Sequence, residues 1–365
     1  MRLQGENNQL LQVRVQRYRI PDRRSPANVI AAMQGDTRVS LVQPNFIYRL
    51  QGRKRTKRPA AKGGSMLKMQ YAPANMQLGP AHKLATGARA IVAVIDSGVD
   101  PSHPEITDAV QGVFNAVGDR SPKPDAHGTA VAGIIGARAR LLGVAPNVRL
   151  LAARAFFKEQ RGGKPLTTTF ILLRAVDWSV TNKARVLNLS FTGPHDKAVR
   201  NILMAAYRRG TILVAAAGNA GPRAPAAYPA AYPEVLAITA LDKSNRLYKN
   251  ANQGDYVTAA APGVDVLVPI PRGGYDVKSG TSFAAAHISG LIALMLERDP
   301  SLTSAQIRTH IGSAAEDLGA KGHDKKFGAG RADAFGTLKA VIGGSNPSSP
   351  IAQRKPSASN ASDQR

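Results

Sequence analysis

With 365 residues, the chain can form one large α/β domain and a smaller appendage, and it contains no run of the roughly 20 apolar residues that a membrane-spanning helix needs. Cysteine is absent, which excludes disulfides, thiolate metal ligands and a cysteine nucleophile. The formal net charge of +25 is densest near the amino terminus, because residues 1–68 hold 15 Lys and Arg against 3 Asp and Glu.

The first residues predict a short strand–helix–strand unit. In residues 11–20 apolar and basic side chains alternate, as in a half-buried strand. Residues 26–33 predict a helix with Ser25 as its N-cap. Residues 39–50 predict a second strand, and the following residues 51–68, rich in Lys, Arg and Gly, predict a basic linker.

Beyond residue 69, short apolar runs alternate with longer amphipathic stretches. This alternation predicts an α/β, three-layer domain over residues 69–342, with a central, mostly parallel sheet and helices on both faces. Strands are predicted over residues 91–95, 148–152, 186–190, 212–216 and 235–239, and helices over residues 127–137, 168–181, 197–208 and 282–296. Residues 343–365 are rich in Ser, Pro, Asn and Gln and predict a disordered tail.

Three polar residues at the edges of these elements have the chemistry of a nucleophilic triad. Asp96 closes the apolar run 91–95, and His127 opens a predicted helix. Ser282 follows a glycine turn at the start of a long apolar helix, where backbone N–H groups point toward an oxyanion formed beside the hydroxyl. Ligands of parallel sheets bind beyond the carboxyl ends of the strands, and Asp96, Ser190 and Asn219 all fall there.

The segments around these residues resemble the motifs of the subtilase family of serine proteases, over about residues 71–342. The matching strings are Val94-Ile95-Asp96-Ser97-Gly98-Val99-Asp100, His127-Gly128-Thr129, Ala215-Ala216-Ala217-Gly218-Asn219 and Gly280-Thr281-Ser282-Phe283-Ala284. The chain order Asp, His, Ser is also that of subtilisin. An α/β-hydrolase is disfavoured, because its Gly-x-Ser-x-Gly elbow and its Ser, acid, His order are missing.

The resemblance implies a serine endopeptidase that is made as a self-processing zymogen. Its catalytic residues would be Asp96, His127 and Ser282, and its oxyanion hole would combine Asn219 with the backbone N–H of Ser282. No cofactor or metal is expected. The segment 134–142, where many subtilases carry a calcium-binding loop, is shorter here and contains no Asp or Asn.

The resemblance also implies a substrate-binding surface. The segment Ser190, Phe191, Thr192 and Gly193 resembles the strand edge that pairs with a peptide substrate, and Ala217, Gly218 and Ala227 are expected to line the pocket for the residue before the scissile bond. Because these last residues are small and apolar, we expect a preference for medium-sized apolar side chains in that pocket.

Residues 1–50 resemble the latter half of a subtilase propeptide, which would inhibit the enzyme, and residues 51–68 are then the expected region of processing. The alternative is an amino-terminal arm packed on the catalytic domain. The incomplete propeptide and the absence of a signal-like apolar core after Met1 lead us to expect a natural start elsewhere. Export to a secreted or periplasmic location is what the family implies.

The expected partners are polypeptide substrates and the chain's own propeptide-like segment, with a monomeric state and no nucleic acid. A rival hypothesis is a catalytically weak or silent subtilase fold that acts as a binding protein. It is favoured by the incomplete propeptide, by Thr192 and by Ala286, which stands where the family usually has proline. A nucleic-acid-binding role for the basic residues 53–58 is disfavoured, because no aromatic residues interleave them.

Overall fold

The computed structural model describes residues 2–20, 22–50, 66–118, 123–158, 163 and 165–344. Within these ranges the strands are β1 (Arg2–Asn8), β2 (Val13–Tyr18), β3 (Ile47–Leu50), β4 (Ile91–Asp96), β5 (Val110–Asn115), β6 (Arg149–Arg154), β7 (Leu166–Thr168), β8 (Val186–Leu189), β9 (Phe191–Thr192), β10 (Ile212–Ala216), β11 (Val235–Leu241), β12 (Val257–Pro262), β13 (Val266–Ile270) and β14 (Gly274–Lys278). The α-helices are α1 (Pro26–Gln34), α2 (Ala72–Asn75), α3 (Leu78–Ala81), α4 (Ala126–Gly136), α5 (Thr169–Thr181), α6 (Lys197–Arg208), α7 (Thr281–Arg298), α8 (Ser304–Ala314) and α9 (Ala334–Ile342). Across these ranges, none of the helices has the length and apolar character required to cross a membrane.

Seven strands form a central sheet in the order β12-β11-β10-β8-β4-β6-β5, and every pairing between them is parallel. The chain enters at β4 in the interior of the sheet, builds β5 and β6 on one side, and then crosses to β8 on the other side. The strand order therefore reverses at β4, and a crevice for ligands forms beyond the carboxyl end of such a strand. The predicted α/β class is confirmed.

Both faces of this sheet are covered. Along β4, Val92 and Val94 belong to one buried cluster, with α4 and α7, whereas Ala93 and Ile95 belong to a second cluster with α5 and α6. A strand that is buried on both faces has no polar side, which explains the continuous apolar run in the sequence. The three layers are thus a direct result of the composition of the central strands.

The predicted central elements match the structure to within one or two residues at most ends, but β5 and β12 were missed. β5 alternates exposed and partly buried positions at the edge of the sheet, and its polar residues obscured the strand pattern. β12 is rich in alanine, which has low strand propensity, although all of its residues are buried. Pairing with β6 determines β5, and burial by neighbouring elements determines β12.

The amino-terminal prediction needs correction. Only Ile47–Leu50 of the predicted strand 39–50 is extended in a sheet, because two side chains before it bind helix ends instead. Gln43 Oε1 accepts the N–H of Ala198 at 3.0 Å, and Asn45 Oδ1 accepts that of Phe170 at 3.0 Å. In addition, β1 was not predicted and pairs antiparallel with β2.

The amino-terminal segment packs on the domain that holds the central sheet. The N–H of Leu10 donates to Asp177 on α5 at 2.7 Å. Further along, β3 lies between β7 and β9 and pairs antiparallel with both. The Tyr48 ring is fully buried and contacts Phe191 edge-on, with 5.8 Å between ring centroids. A Cβ on Gly193 would lie 2.3 Å from this ring, so the residue beneath Tyr48 has to be glycine.

A buried carboxylate fastens the short loop that follows α4. Glu105 has no exposed surface and accepts the N–H groups of Ala139, Arg140 and Leu141 at 3.0–3.1 Å. Burial, followed by the Glu105 carboxylate, raises the pKa of Tyr275 to about 12, so its hydroxyl stays protonated and donates to Glu105 at 2.7 Å. This loop is part of the segment 134–142, in which many subtilases carry a calcium-binding loop.

The predicted linker ends earlier than expected. Residues 51–65 and the predicted tail from residue 345 lie outside the described ranges. Met66, however, is buried, and its N–H donates to the carbonyl of Arg140 at 3.0 Å. A 3₁₀ turn over Leu67–Met69 follows it. The last three residues of the predicted linker 51–68 are therefore part of the packed domain.

We expect Glu105→Ala to lower the free energy of unfolding by about 3 kcal/mol, because the buried N–H of Leu141 and the partly buried N–H groups of Ala139 and Arg140 lose their acceptor, at a cost of roughly 1–3 kcal/mol for a buried donor. Calorimetry measures this loss when Glu105→Ala is introduced into the Ser282→Ala protein, which lacks the predicted nucleophile. Asp108→Ala is the matched control, since Asp108 is an exposed acid three residues away. Equal melting temperatures for the two variants would contradict the role given to Glu105.

Candidate active site

Three neighbouring strands bring polar residues to the side of the sheet where the strands have their carboxyl ends. In the register of the sheet, Asn188 of β8 stands opposite Val94 of β4 and Val214 of β10. Since the strands are parallel, their carboxyl ends coincide. Asp96, Ser190 and Asn219 therefore all lie at or just beyond the carboxyl ends of these strands, where the sequence predicts them.

A buried carboxylate holds the imidazole of His127. The Nδ1 atom of His127 lies 2.8 Å from Asp96 Oδ1 and 3.0 Å from Oδ2, and the Asp96 side chain is only 1 % exposed. Because an ionised carboxylate only accepts hydrogen bonds, this contact places a proton on Nδ1. The basic nitrogen of the neutral ring is then Nε2.

Ser282 lies in the first turn of α7, directly after Thr281. Its Oγ donates to the backbone carbonyl of Ser190 at 3.3 Å, across the gap between α7 and the end of β8. The next residue, Phe283, has its ring centroid 5.5 Å from that of His127. The first turn of α7 thus contacts the imidazole through Phe283, and the helix N-terminus beside Ser282 favours negative charge.

The side chain of Asn219 is held in one orientation. Its Oδ1 accepts the backbone N–H of Thr281 at 3.0 Å and the Thr281 hydroxyl at 2.9 Å. The NH₂ group is therefore directed away from Thr281. The preceding Gly218 has φ of +117°, and a Cβ there would lie 2.5 Å from Asn252, so this turn requires glycine.

The residues predicted to bind substrate also converge. Phe191 and Thr192 form β9, which pairs with β3, and Gly193 exchanges backbone hydrogen bonds with Tyr228, the neighbour of Ala227. Ala217 follows β10, and its carbonyl accepts the Tyr256 hydroxyl at 3.0 Å. The two predicted groups, the strand edge and the pocket lining, are thus connected through the bridge between Gly193 and Tyr228.

Two other histidines are structural. His103 is buried between the carbonyl of Gly274 and the N–H of Glu105. Burial lowers the pKa of His287 to about 4, so this residue is neutral inside the core near neutral pH. In the part of the chain that the structure describes, no cluster of three or more His, Asp or Glu residues is placed to hold a metal ion.

Sequence reasoning missed several residues of the site. Ser97 bonds both Asp96 and Asp125, Thr281 orients Asn219, and Tyr48 fills the space over Phe191. The signal for Ser97 and Thr281 was their position next to residues of the predicted triad. Tyr48 gave no local signal, since its partner lies more than 140 residues further along the chain.

A sequence profile of the subtilase family matches residues 87–330. The chain is similar to the minor extracellular protease Epr of Bacillus subtilis (37% identical over 251 residues, 67% of this chain and 38% of that protein). It is also similar to subtilisin E of Bacillus subtilis (35% identical over 244 residues, 64% of this chain and 62% of that protein) and to a subtilisin of Bacillus pumilus (34% identical, 64% and 86%).

Among solved structures, the fold is similar to that of fervidolysin from Fervidobacterium pennivorans, a keratinolytic enzyme related to subtilisin. The TM-score is 0.69 at 25% identity, over 81% of this chain and 51% of that one. The chain thus spans less than two thirds of Epr, subtilisin E and fervidolysin. The profile nevertheless covers most of the chain, in the same region as the sheet and its crevice. The chain therefore belongs to the subtilase family.

Proposed function

We propose that this protein is a serine endopeptidase that hydrolyses peptide bonds through an acyl-enzyme. The observation that carries this proposal is the contact of 2.8 Å between the buried Asp96 carboxylate and His127 Nδ1, next to the first turn of α7 that holds Ser282. Membership of the subtilase family supports it, as do relatives named as subtilisins and as an extracellular protease.

In the first half of the reaction, Ser282 Oγ attacks the scissile carbonyl carbon and His127 Nε2 takes its proton. Asp96 stabilises the imidazolium and keeps the ring in its orientation. The tetrahedral oxyanion receives hydrogen bonds from the Asn219 NH₂ group and from the backbone N–H of Ser282. The C–N bond then breaks, and His127 returns the proton to the leaving amine.

In the second half, water attacks the ester carbon while His127 accepts one of its protons. The C–Oγ bond breaks and Ser282 regains its proton. Because the Asn219 amide is already fixed by Thr281, it needs no reorganisation as charge develops on the oxygen. This preorganisation favours the transition state over the bound substrate.

The substrate binds as an extended strand between β7 and β9, where its backbone pairs with both edges. Ala217, Gly218 and Ala227 line the pocket for the residue before the scissile bond. These residues are small, and Ala220 just after Asn219 offers no carboxylate to attract a basic side chain. We infer a preference for medium-sized apolar residues at this position.

The amino-terminal segment acts as a propeptide. It places β3 in the strand position that a substrate would need, and Leu50 pairs with Phe191. Phe191, the partner of Leu50, directly follows Ser190, and the carbonyl of Ser190 accepts the Ser282 hydroxyl. We infer that the processing bond lies within the first residues after Leu50, at the start of the 51–68 linker. Export from the cell is consistent with the extracellular relative.

We expect Ser282→Ala to lower kcat by about 10⁶-fold, the loss found when the nucleophile of a subtilisin is removed. Hydrolysis of an unstructured protein and labelling by a fluorophosphonate probe measure it. Ser301→Ala, at an exposed serine, is the control. If the wild type is neither labelled nor active, the silent binding protein becomes the better hypothesis.

Asn219→Ala removes one oxyanion donor. We expect kcat to fall about 10²–10³-fold with a small change in KM. This is the loss of kcat found when one such donor is removed from subtilisin. Steady-state kinetics on a peptide anilide separate the two constants. A rise in KM with an unchanged kcat would assign Asn219 to substrate binding instead.

We expect the wild-type chain to be cut shortly after Leu50 during expression, and the Ser282→Ala chain to stay intact. Intact-mass spectrometry of both proteins locates the bond. Addition of a trace of wild-type protein to the Ser282→Ala chain tests cleavage between molecules. Identical cuts in both proteins, expressed alone, would instead indicate a host protease.

A further inference from the structure

Two carboxylates share one serine hydroxyl behind the catalytic pair. Ser97 Oγ lies 3.1 Å from Asp96 Oδ1 and 2.9 Å from Asp125 Oδ1, and Ser97 is buried. A serine hydroxyl carries a single proton, so it donates to one of these carboxylates at a time. The hydrogen bonding of Asp96, and through it of His127, is therefore connected to Asp125.

Asp125 is connected to the same pair by a second route. Its Oδ1 also accepts the backbone N–H of His127 at 3.0 Å, as the N-cap of α4. Burial by itself would raise the pKa of Asp125, but the His127 N–H, Lys158 and Ser97 together hold it below the ordinary value. Asp125 is thus a carboxylate at neutral pH, two residues from the imidazole.

Lys158 neutralises this second carboxylate. Its Nζ lies 3.1 Å from Asp125 Oδ2, and its side chain is 45 % exposed. The residue before it, Phe157, exchanges backbone hydrogen bonds of 3.0 and 2.9 Å with Leu166 of β7. Leu166 in turn pairs with Arg49 of β3. The backbone that carries Lys158 is thereby held beside strand β7, which pairs with β3.

We propose that Lys158, Asp125 and Ser97 form a positioning network that joins strand β7 of the cleft to the Asp96–His127 pair. This inference rests on the proposed function, since it assigns these residues a part in the same reaction. None of the three has to touch the substrate. They act through Asp96 and His127, by dividing the Ser97 proton between two carboxylates and by setting the local charge.

The sign of the charge effect follows from the geometry. The Asp125 carboxylate favours the imidazolium form of His127, and the Lys158 ammonium opposes it. Loss of Lys158 should therefore raise the pKa of His127, and loss of the Asp125 charge should lower it. A unit charge several ångströms away in a water-like dielectric shifts a pKa by about 0.3–0.5 unit.

The other charged groups around His127 have contacts of their own. On β4 and the turn after it, Asp96 holds His127 itself, and Asp100 accepts from Ser102 and from the N–H of Arg272. At the end of β6, Arg154 donates to Asn115. The exposed Lys123 precedes α4. These groups are the same in all variants below, so they cancel in the comparison.

The test compares Lys158→Met, Asp125→Asn and the double variant in the full-length chain. We expect the acidic limb of kcat/KM, which reports the free enzyme's base, to move about 0.3–0.5 pH unit upward in Lys158→Met and downward in Asp125→Asn. The double variant should lie near the wild type. In the same proteins carrying Ser282→Ala, NMR titration of ¹³C-labelled His127 should show the same two opposite shifts without any need for activity.

Matched variants separate charge from structure. Lys158→Arg keeps the charge and should keep the acidic limb of kcat/KM at its wild-type position. Lys183→Met removes an exposed lysine just before β8, at the amino-terminal ends of the strands, and should also leave this limb unchanged. Ser97→Ala should lower kcat about tenfold at constant KM, and Ser97→Thr should recover most of it.

The outcomes distinguish the two proposals. One outcome is that the two single variants show opposite shifts of the His127 pKa while the wild type does not hydrolyse peptides. That result would support the network and overturn the proposed function. An active wild type whose His127 pKa does not move, or moves in the same direction in both single variants, would overturn the network and leave Asp125 as an N-cap alone.

Discussion

The burial of one carboxylate determines much of this structure. Asp96 is almost inaccessible to water at the end of a strand that is apolar on both faces, and an ion in such a place requires hydrogen-bond donors. It receives them from the backbone and hydroxyl of Ser97 and from His127. The turn after β4 and the first turn of α4 are thus brought together by the need to satisfy this charge, and the imidazole is oriented as a result.

The central sheet and the site on it were predictable because their signals are local. Residues 91–95 are apolar since the sheet is covered on both faces, and Asp96 marks the point where that burial ends. Asn219 and Ser282 lie in short strings whose glycines and order resemble a known family. Each of these features can be read within about ten residues of sequence, and the structure retains them.

The remaining features depend on contacts between distant parts of the chain. The predicted strand 39–50 is mostly irregular because Gln43 and Asn45 bind the ends of two helices more than 120 residues away. Glu105, too, appears in the sequence as one of several acids near a motif. Only the fold shows that it serves three N–H groups of the loop after α4. Partners at such separation leave no periodic pattern.

The position of β3 has a consequence for what the cleft can accept. The space between β7 and β9 is one strand wide, and about four consecutive residues of β3 occupy it in extended form. A folded protein seldom presents such a segment without first opening locally, at a free energy set by its own structure. When this opening is fast and reversible, the rate of cleavage follows the population of the open form. For the proposed endopeptidase, the stability of the target would then select what is degraded, together with the side chain that the pocket accepts.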